Sequence, residues 1–276
     1  MRATASRPIG ATRSFGRAAV ATVVAACLGS ALLLFIAAPL LRLTMEGGVA
    51  GVRGLLGDDA ELRASLVMTV ATATAASVIG ALSGTPIAWL LARRRFRGRA
   101  LLSSLFDLPL LLPHPVAGIA LLLVLGRDTV AGGTLLAAGL RVVGSPLGII
   151  AAMLFVSVPL YVSGATEAFA RVDPRLEGVA RTLGDSPWRA FRRVTLPLAG
   201  RGLMASAIVM WARAVSEFGA IVILAYNPKV ASVLSFDRFT TYGLPGALPV
   251  AAVLVLLALG PLVALRSLRT TAGVEY

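Results

Sequence analysis

The stretch EGVARTLGDSPWRAFRRVTLPLAG, residues 177–200, decides the fold through its contrast with its surroundings. It holds four arginines and two acids, whereas residues 146–166 and 202–225 on either side are almost entirely apolar. A helix that crosses a lipid bilayer needs about 20 mostly apolar residues, and each flank is that long. The sequence therefore predicts a polar connection between two membrane-spanning helices.

The composition places the whole chain in a membrane. Of its 276 residues, 57% are hydrophobic and 14% are charged, and the mean hydropathy is +0.86. A soluble domain of this length cannot bury so many apolar side chains in a core. The net charge of +13 would also suit a nucleic-acid-binding protein, but basic residues at the ends of apolar spans account for it, so no nucleic acid partner is predicted. Cys27 is the only cysteine, which excludes an internal disulfide.

Six runs have the length and composition of spanning helices: 18–41, 65–91, 105–125, 146–166, 202–225 and 246–265. The first follows several arginines, as a secretory signal does. Its 24 residues, however, exceed the roughly 7–15 apolar residues of a cleavable signal. We therefore predict an all-α integral membrane protein with six transmembrane helices, the first of which is a retained anchor.

Helix-breaking residues interrupt three of these spans: Gly84, Pro86, Pro109, Pro113, Pro115 and Pro159. A break in the backbone at membrane depth is tolerated only where protein or a water-filled cavity covers it. We therefore expect a packed bundle around a pathway. Pro113, His114 and Pro115 are candidates for its mouth, and His114 is predicted to be packed or mouth-facing rather than catalytic.

Lys and Arg residues are distributed unevenly between the predicted connections. Eighteen lie in the N-terminal segment, in 92–104, in 167–201 and in the C-terminal tail, whereas seven lie in 42–64, 126–145 and 226–245. Cytoplasmic loops carry the excess of positive charge, so both termini and the polar stretch are predicted to be cytoplasmic. The domains are then a basic segment over 1–17, a six-helix transmembrane domain over 18–265 with a loop at 167–201, and a tail over 266–276.

The polar stretch contains the start and stop signals of two short helices. Asp173–Pro174 is typical of a helix start, and Gly184 is typical of a helix end. Between them, apolar residues recur at helical spacing: Leu176, Val179, Ala180 and Leu183. Ser186–Pro187 repeats the start signal, and a second stripe led by Trp188 and Phe191 is expected to stop before Pro197. Such a pair suits either an amphipathic element at the membrane surface or a docking element for a partner.

The wording ARTLGDSPWRAFRRVTLPLAG resembles the cytoplasmic "EAA" loop of ABC importer permeases, in which a glutamate and two alanines precede a glycine and a Leu-Pro pair. Gly184, Leu196 and Pro197 match that pattern. Gly178 stands at the position of the family's glutamate, whereas Glu177 lies one residue early. The resemblance implies an ATPase-coupling loop formed by Glu177, Gly178, Val179, Ala180, Arg181, Leu183, Gly184, Trp188, Leu196 and Pro197.

The resemblance extends over roughly residues 58–265. DLPLLLPHPVAGIALLLVLGR at 107–127, ARAVSEFGAIVIL at 212–224 and AYNPKVASVLSF at 225–236 are similar to permeases for molybdate, tungstate or sulfate, most of all to the molybdate/tungstate group. It implies a type I importer permease fold in a bacterial or archaeal plasma (inner) membrane. Two copies would pair as a homodimer, each docking one ABC ATPase, and an extracytoplasmic binding protein would deliver the oxyanion. A sulfate or thiosulfate permease is the alternative.

No motif indicates chemistry in this chain itself. It has no GxxxxGK[ST] loop for phosphates and no cysteine or histidine cluster for a metal, so no cofactor is predicted here, and ATP and Mg would be bound by the partner ATPase. A secondary transporter is a less favoured alternative, because such proteins usually hold ionisable residues at membrane depth. A membrane enzyme using Asp107, His114 and Glu217 is disfavoured, because these residues are scattered over different spans.

Arg213 and Glu217 form a candidate intramembrane pair. They lie four residues apart in the fifth span, hence on one helix face. Two interpretations remain open. The pair is either a mutually neutralised structural contact, or Arg213 faces the pathway and attracts the anion while Glu217 limits how tightly the anion is held.

Overall fold

The structure is a computed structural model that describes residues 11–57 and 59–270, and within these ranges every regular element is helical. The elements are α1 Ala11–Leu56, α2 Ala60–Arg93, α3 Arg99–Leu111, α4 His114–Leu125, α5 Val130–Ala137, α6 Pro146–Ala170, α7 Pro174–Thr182, α8 Pro187–Ala190, a π-helical turn Phe191–Thr195, α9 Leu196–Val215, α10 Gly219–Leu224 and α11 Ala231–Thr270. Arg2 and Arg7, which contributed to the predicted orientation, and tail residues 271–276 lie outside the described residues. The structure thus confirms the all-α class.

Five helices among the described residues are long and apolar enough to cross a membrane, and α3 with α4 makes a sixth when counted as one span. The predicted interruption of the third span is confirmed, since α3 and α4 are bent by 116° at the break between Leu111 and His114. A proline disfavours the helical conformation of the preceding residue, and Leu112 is extended, with φ −77° and ψ 137°. The third span is therefore broken at its prolines.

Other predicted boundaries also differ from the structure. α1 runs from Ala11 to Leu56, so most of the predicted connection 42–64 is helix. α11 already begins at Ala231, inside the predicted connection 226–245, but it is kinked at Gly243, which has φ 68° and ψ −163° and lies close to the predicted start of the sixth span. The predicted fifth span is interrupted after Val215, and α10 follows from Gly219. The prediction ended helices at polar residues, but in the structure several of these residues lie inside long helices.

Gly84 and Pro86 do not interrupt α2, contrary to the expectation from the sequence. A Cβ at Gly84 would lie 3.0 Å from Cδ1 of Tyr161 and 3.2 Å from Cγ2 of Val162 on α6. The glycine therefore allows α2 and α6 to approach closely, as small residues do between membrane helices. α6 is likewise continuous through Pro159.

The core of the bundle is formed where α6 packs against α2 and α9. Ile149 and Met153 of α6 and Met210 of α9 are fully buried there. α1 packs instead on α11, where a Cβ at Gly47 would lie 2.3 Å from the carbonyl oxygen of Leu248. The bundle therefore positions two polar features: the connection between α6 and α9, and the breaks around α4 and α10.

Candidate functional site

The connection between α6 and α9 begins with the predicted short helix. Asp173 caps α7, and its Oδ1 accepts a hydrogen bond from the backbone N–H of Arg175 at 2.9 Å. At the other end Gly184 adopts a left-handed conformation with φ +96°. The Gly184 N–H donates to the carbonyl of Arg181, and the Asp185 N–H donates to the carbonyl of Ala180. This pair of bonds is a Schellman motif, so the predicted corner is confirmed.

The second helix starts as predicted but does not stop before Pro197. The Ser186 hydroxyl accepts from the backbone N–H of Arg189 at 3.3 Å. The helix then continues from Pro187 to Val215 through the π-helical turn. In this turn the Leu196 N–H bonds to the carbonyl of Phe191, five residues earlier. Pro197 is tolerated because it directly follows this turn, where the regular i→i−4 hydrogen bonding is already interrupted. The connection is thus rigidly joined to the fifth span.

Glu177 fixes the short helix to the rest of the bundle. Its Oε1 lies 3.4 Å from Nη2 of Arg93 at the end of α2 and accepts a hydrogen bond from the hydroxyl of Thr195 in the π-helical turn. Arg93 is nearly buried and also donates from Nη1 to the carbonyl of Val172 at 2.8 Å. Glu177 therefore has a positioning role within the protein, although it stands one residue away from the glutamate of the resembled loop.

The apolar stripe of α7 is largely uncovered in the part of the chain that the structure describes, since no residue of this helix is buried. Leu183 is 84% exposed and Trp188 is 66% exposed, and Leu176 and Val179 are exposed beside them. The ring of Trp188 stacks on Phe191 at a centroid distance of 5.5 Å, so its position is fixed from the inner side. We call Leu176, Val179, Leu183 and Trp188 the docking face.

The second polar feature is an intramembrane cluster of His114, Arg213 and Glu217. Arg213 Nη2 lies 2.8 Å from Glu217 Oε2, and His114 Nδ1 lies 2.8 Å from the same oxygen. Arg213 Nη2 is also 3.1 Å from His114 Nε2. Glu217 is fully buried, and its Oε1 accepts from the backbone N–H of Ala220 at 2.8 Å. The predicted pair of Arg213 and Glu217 is therefore confirmed as a contact, although Glu217 lies just beyond the end of α9.

Two breaks in helices bring the cluster together. His114 is the first residue of α4, directly after the bend, and Glu217 lies in the gap between α9 and α10. A Cβ at Gly219 would lie 2.5 Å from Cβ of His114, and one at Gly118 would lie 2.8 Å from the carbonyl oxygen of Ala220. Glycines at both crossing points therefore let α4 and α10 approach closely.

Sequence reasoning missed the contact between His114 and Glu217. It regarded His114 as a separate mouth residue and the residues Asp107, His114 and Glu217 as scattered, but the structure brings the last two together. Asp107 lies apart from them and lines a cavity of about 750 Å³ with Arg95 and Arg99. The sequence feature that could have predicted this contact is a helix interruption beside each residue: the prolines around His114 and the glycine after Glu217. Pro113 and Pro115 flank His114 at the bend, where they shape the start of α4.

Residues 84–269 match the family model described as the inner membrane component of binding-protein-dependent transport systems. The chain belongs to this family. It is 40% identical over 243 residues to the molybdate/tungstate transport system permease protein WtpB of Thermococcus kodakarensis, covering 87% of this chain and 93% of the relative. It is 33% identical over 214 residues to the sulfate transport system permease protein CysT of Escherichia coli, covering 76% and 77% of the two chains.

Solved structures of ABC transporters share the fold. A bacterial ABC transporter for the import of alginate superposes with a TM-score of 0.67 at 16% identity, over 94% of this chain and 98% of the other. The methionine ABC transporter MetNI gives a TM-score of 0.58 at 16% identity, over 76% and 95%. The permease is therefore a multi-pass membrane protein with the fold of ABC importer permeases.

A charged network joins α2 to α11 on the side of the permease that the sequence predicts to be extracytoplasmic. Arg238 donates to both carboxylate oxygens of Asp59, at 2.5 and 2.7 Å, and this contact lowers the pKa of Asp59. Lys229 binds Asp237 at 2.7 Å and Glu61 at 3.1 Å, and the bond to Asp237 raises the pKa of Lys229. No spacing pattern in the sequence predicted these ion pairs. Over residues 11–57 and 59–270, no group of His, Cys, Asp and Glu could hold a metal ion.

Proposed function

We propose that this chain is the permease subunit of an ATP-driven importer for molybdate or tungstate in a bacterial or archaeal plasma membrane. Two copies form the pathway, each docks one ABC ATPase, and an extracytoplasmic binding protein selects and delivers the oxyanion. ATP and Mg are bound by the ATPase, and the permease has no cofactor and no catalytic site of its own. The substrate follows from the relatives named as molybdate/tungstate permeases. A sulfate or thiosulfate permease is the second candidate, which the similarity to CysT supports.

The docking face is the observation that supports coupling to an ATPase. It exposes four large apolar side chains at the end of the bundle that is predicted to be cytoplasmic. Glu177 ties the short helix that carries most of this face to α2 and to the π-helical turn, and the turn runs directly into α9. A push on Trp188 therefore reaches the fifth span through continuous helix, and a push on the rest of the docking face reaches it through the hydrogen bond between Glu177 and Thr195. A helix pair that only rests on lipid has no need of such a connection.

Reconstituted transport tests the function. The permease, its ATPase and the binding protein are placed in proteoliposomes, and uptake of molybdate, tungstate and sulfate is measured with and without ATP. We expect uptake of molybdate and tungstate that depends on ATP and on the binding protein. Uptake that proceeds on an ion gradient without the ATPase would identify a secondary transporter, and preference for sulfate would favour the second candidate.

The docking face is tested with a charge at its most exposed position. Leu183→Asp places a carboxylate where the ATPase would bury an apolar side chain, and we expect loss of ATPase co-purification with normal membrane insertion. Leu140→Asp is the matched control, because Leu140 is also exposed but lies in a connection predicted to face the other side. If Leu183→Asp instead releases the segment from lipid vesicles and leaves ATPase binding intact, the segment is an interfacial element.

A further inference from the structure

In the intramembrane cluster the carboxylate is buried, whereas the guanidinium and the imidazole are partly exposed. Both carboxylate oxygens of Glu217 are occupied, Oε1 by the Ala220 N–H and Oε2 by Arg213 and His114. The side chain of Glu217 is 0% exposed, whereas that of Arg213 is 21% exposed and that of His114 is 49% exposed. The accessible side of the cluster therefore offers N–H donors and no carboxylate.

The position of the cluster determines what this accessible side faces. Arg213 follows Arg201 by twelve helical residues, which places it about 18 Å further along α9 in a hydrocarbon layer about 30 Å thick. A charged side chain turned to lipid at that depth is strongly disfavoured. Two helix breaks lie beside it, and exposed backbone at membrane depth must face protein or water. The donor side of the cluster therefore faces a water-filled pathway or the second copy.

The hydrogen bonds within the cluster use only part of the guanidinium group. Nη2 serves Glu217 and His114, while Nη1 makes one long contact of 3.4 Å to the Ser216 hydroxyl. An arginine has five N–H donors in a planar fork that matches the oxygens of an oxyanion. Several donors therefore remain for a ligand. Because Glu217 neutralises the charge, the site is suited to weak and brief binding.

We propose that Arg213 is a transient contact for the tetrahedral oxyanion on its way through the permease. Glu217 and His114 are positioning residues: the carboxylate accepts from Nη2 of the arginine, and the imidazole lies against both groups, so that the remaining donors face the pathway. Glu217 also keeps the affinity low, so that the anion leaves. This proposal rests on the proposed function, since it assigns a place inside the permease to the anion that the importer carries.

The single histidine of the chain allows a direct measurement. The permease is labelled with [15N]histidine, purified with a histidine-free tag, assembled with its ATPase in nanodiscs, and titrated with sodium molybdate and with sodium sulfate. Sodium chloride at equal ionic strength is the control for salt. We expect the imidazole nitrogen signals of His114 to shift with millimolar molybdate and to stay unchanged with chloride. Unchanged signals in molybdate, in a preparation that imports molybdate with ATP, overturn the proposal.

Two substitutions separate anion binding from a structural pair. Arg213→Gln is expected to abolish the molybdate-dependent shift and to lower the maximal uptake rate about tenfold, at a normal amount of folded protein. Glu217→Gln keeps an acceptor for the Ala220 N–H but removes the opposing charge, so molybdate should bind about tenfold more tightly. A purely structural pair predicts no tighter binding in any variant, and that result contradicts the proposal. Arg201→Gln, at an exposed position twelve residues earlier in the same helix, should leave the shift of His114 intact.

Failure of the two proposals can be distinguished in the same material. If the wild-type importer takes up none of the oxyanions, the proposed function fails, while the titration of His114 still reports whether the cluster binds a tetrahedral oxyanion. If uptake is normal and the His114 signals do not respond, only the present inference fails. A response to chloride equal to that to molybdate shows a general effect of salt and also overturns it.

Discussion

Substitution of Gly184 by valine tests how the corner of the coupling segment supports ATPase docking. Gly184 has φ +96°, and the carbonyls of Ala180 and Arg181 accept the paired bonds of the Schellman motif. A β-branched side chain resists this conformation because its Cβ approaches the following carbonyl oxygen. We therefore expect Gly184→Val to insert normally into the membrane but to present the docking face poorly.

The expected loss of ATPase affinity follows from the surroundings of this glycine. No heavy atom lies within 4 Å of a Cβ built at Gly184, so the cost arises from the backbone and not from a clash. A residue other than glycine in the left-handed region costs about 1–2 kcal/mol. If the ATPase binds only the native corner, this cost weakens docking by a factor of about 5–30. Asparagine tolerates the conformation better, so Gly184→Asn should recover most of the affinity.

The assay is binding of the purified ATPase to the permease in nanodiscs, followed by ATP-dependent uptake in proteoliposomes. Gly200→Val is the matched control, since Gly200 also has open space around its Cβ but lies in α9 without a positive φ. We expect the control to bind within about twofold of wild type. Equal affinity of Gly184→Val and wild type, or equal loss in both valine variants, would show that the left-handed corner does not govern docking.

Three further predictions address contacts that the structure revealed. Glu177→Gln leaves the nearly buried Arg93 without a countercharge, so thermal unfolding should become easier by about 1–3 kcal/mol, and Arg93→Gln added to it should restore part of the loss. Asp59→Asn retains a capping oxygen for α2 but loses the charge that binds its arginine, costing about 1–2 kcal/mol at pH 7. Because that arginine lowers the pKa of Asp59, the difference from wild type should persist above about pH 4 and vanish as the pH falls through the folded-state pKa, which melting curves over a pH series will show. Gly219→Ala drives a methyl group to within 2.5 Å of the histidine beside it and should lower the folded yield by a cost of about 1–3 kcal/mol, whereas Gly260→Ala, in open space, should not.

Local patterns were sufficient for the class of the protein and for the helix–corner–helix segment. Asp173, Gly184 and Ser186 act on backbone groups within a few residues of themselves, and all three have the predicted roles in the structure. The apolar runs likewise predicted the spans, because a bilayer requires a minimum length of apolar helix whatever the packing. The boundaries were less well predicted: α1 continues to Leu56 and the fifth span continues back to Pro187, because helix ends inside a bundle depend on neighbouring helices.

The sites depended on tertiary structure. Glu177 contacts Arg93 and His114 contacts Glu217 at sequence separations of 84 and 103 residues, and no periodicity in the sequence relates such positions. The second contact exists because Gly219 allows the start of α4 to approach α10 and because Pro113 bends the chain at that point. The sequence determined that a few charged groups lie within an apolar chain. Only the packing of broken helices decided which of them are neighbours, since a charge at membrane depth must be satisfied by whatever the fold brings within hydrogen-bonding distance.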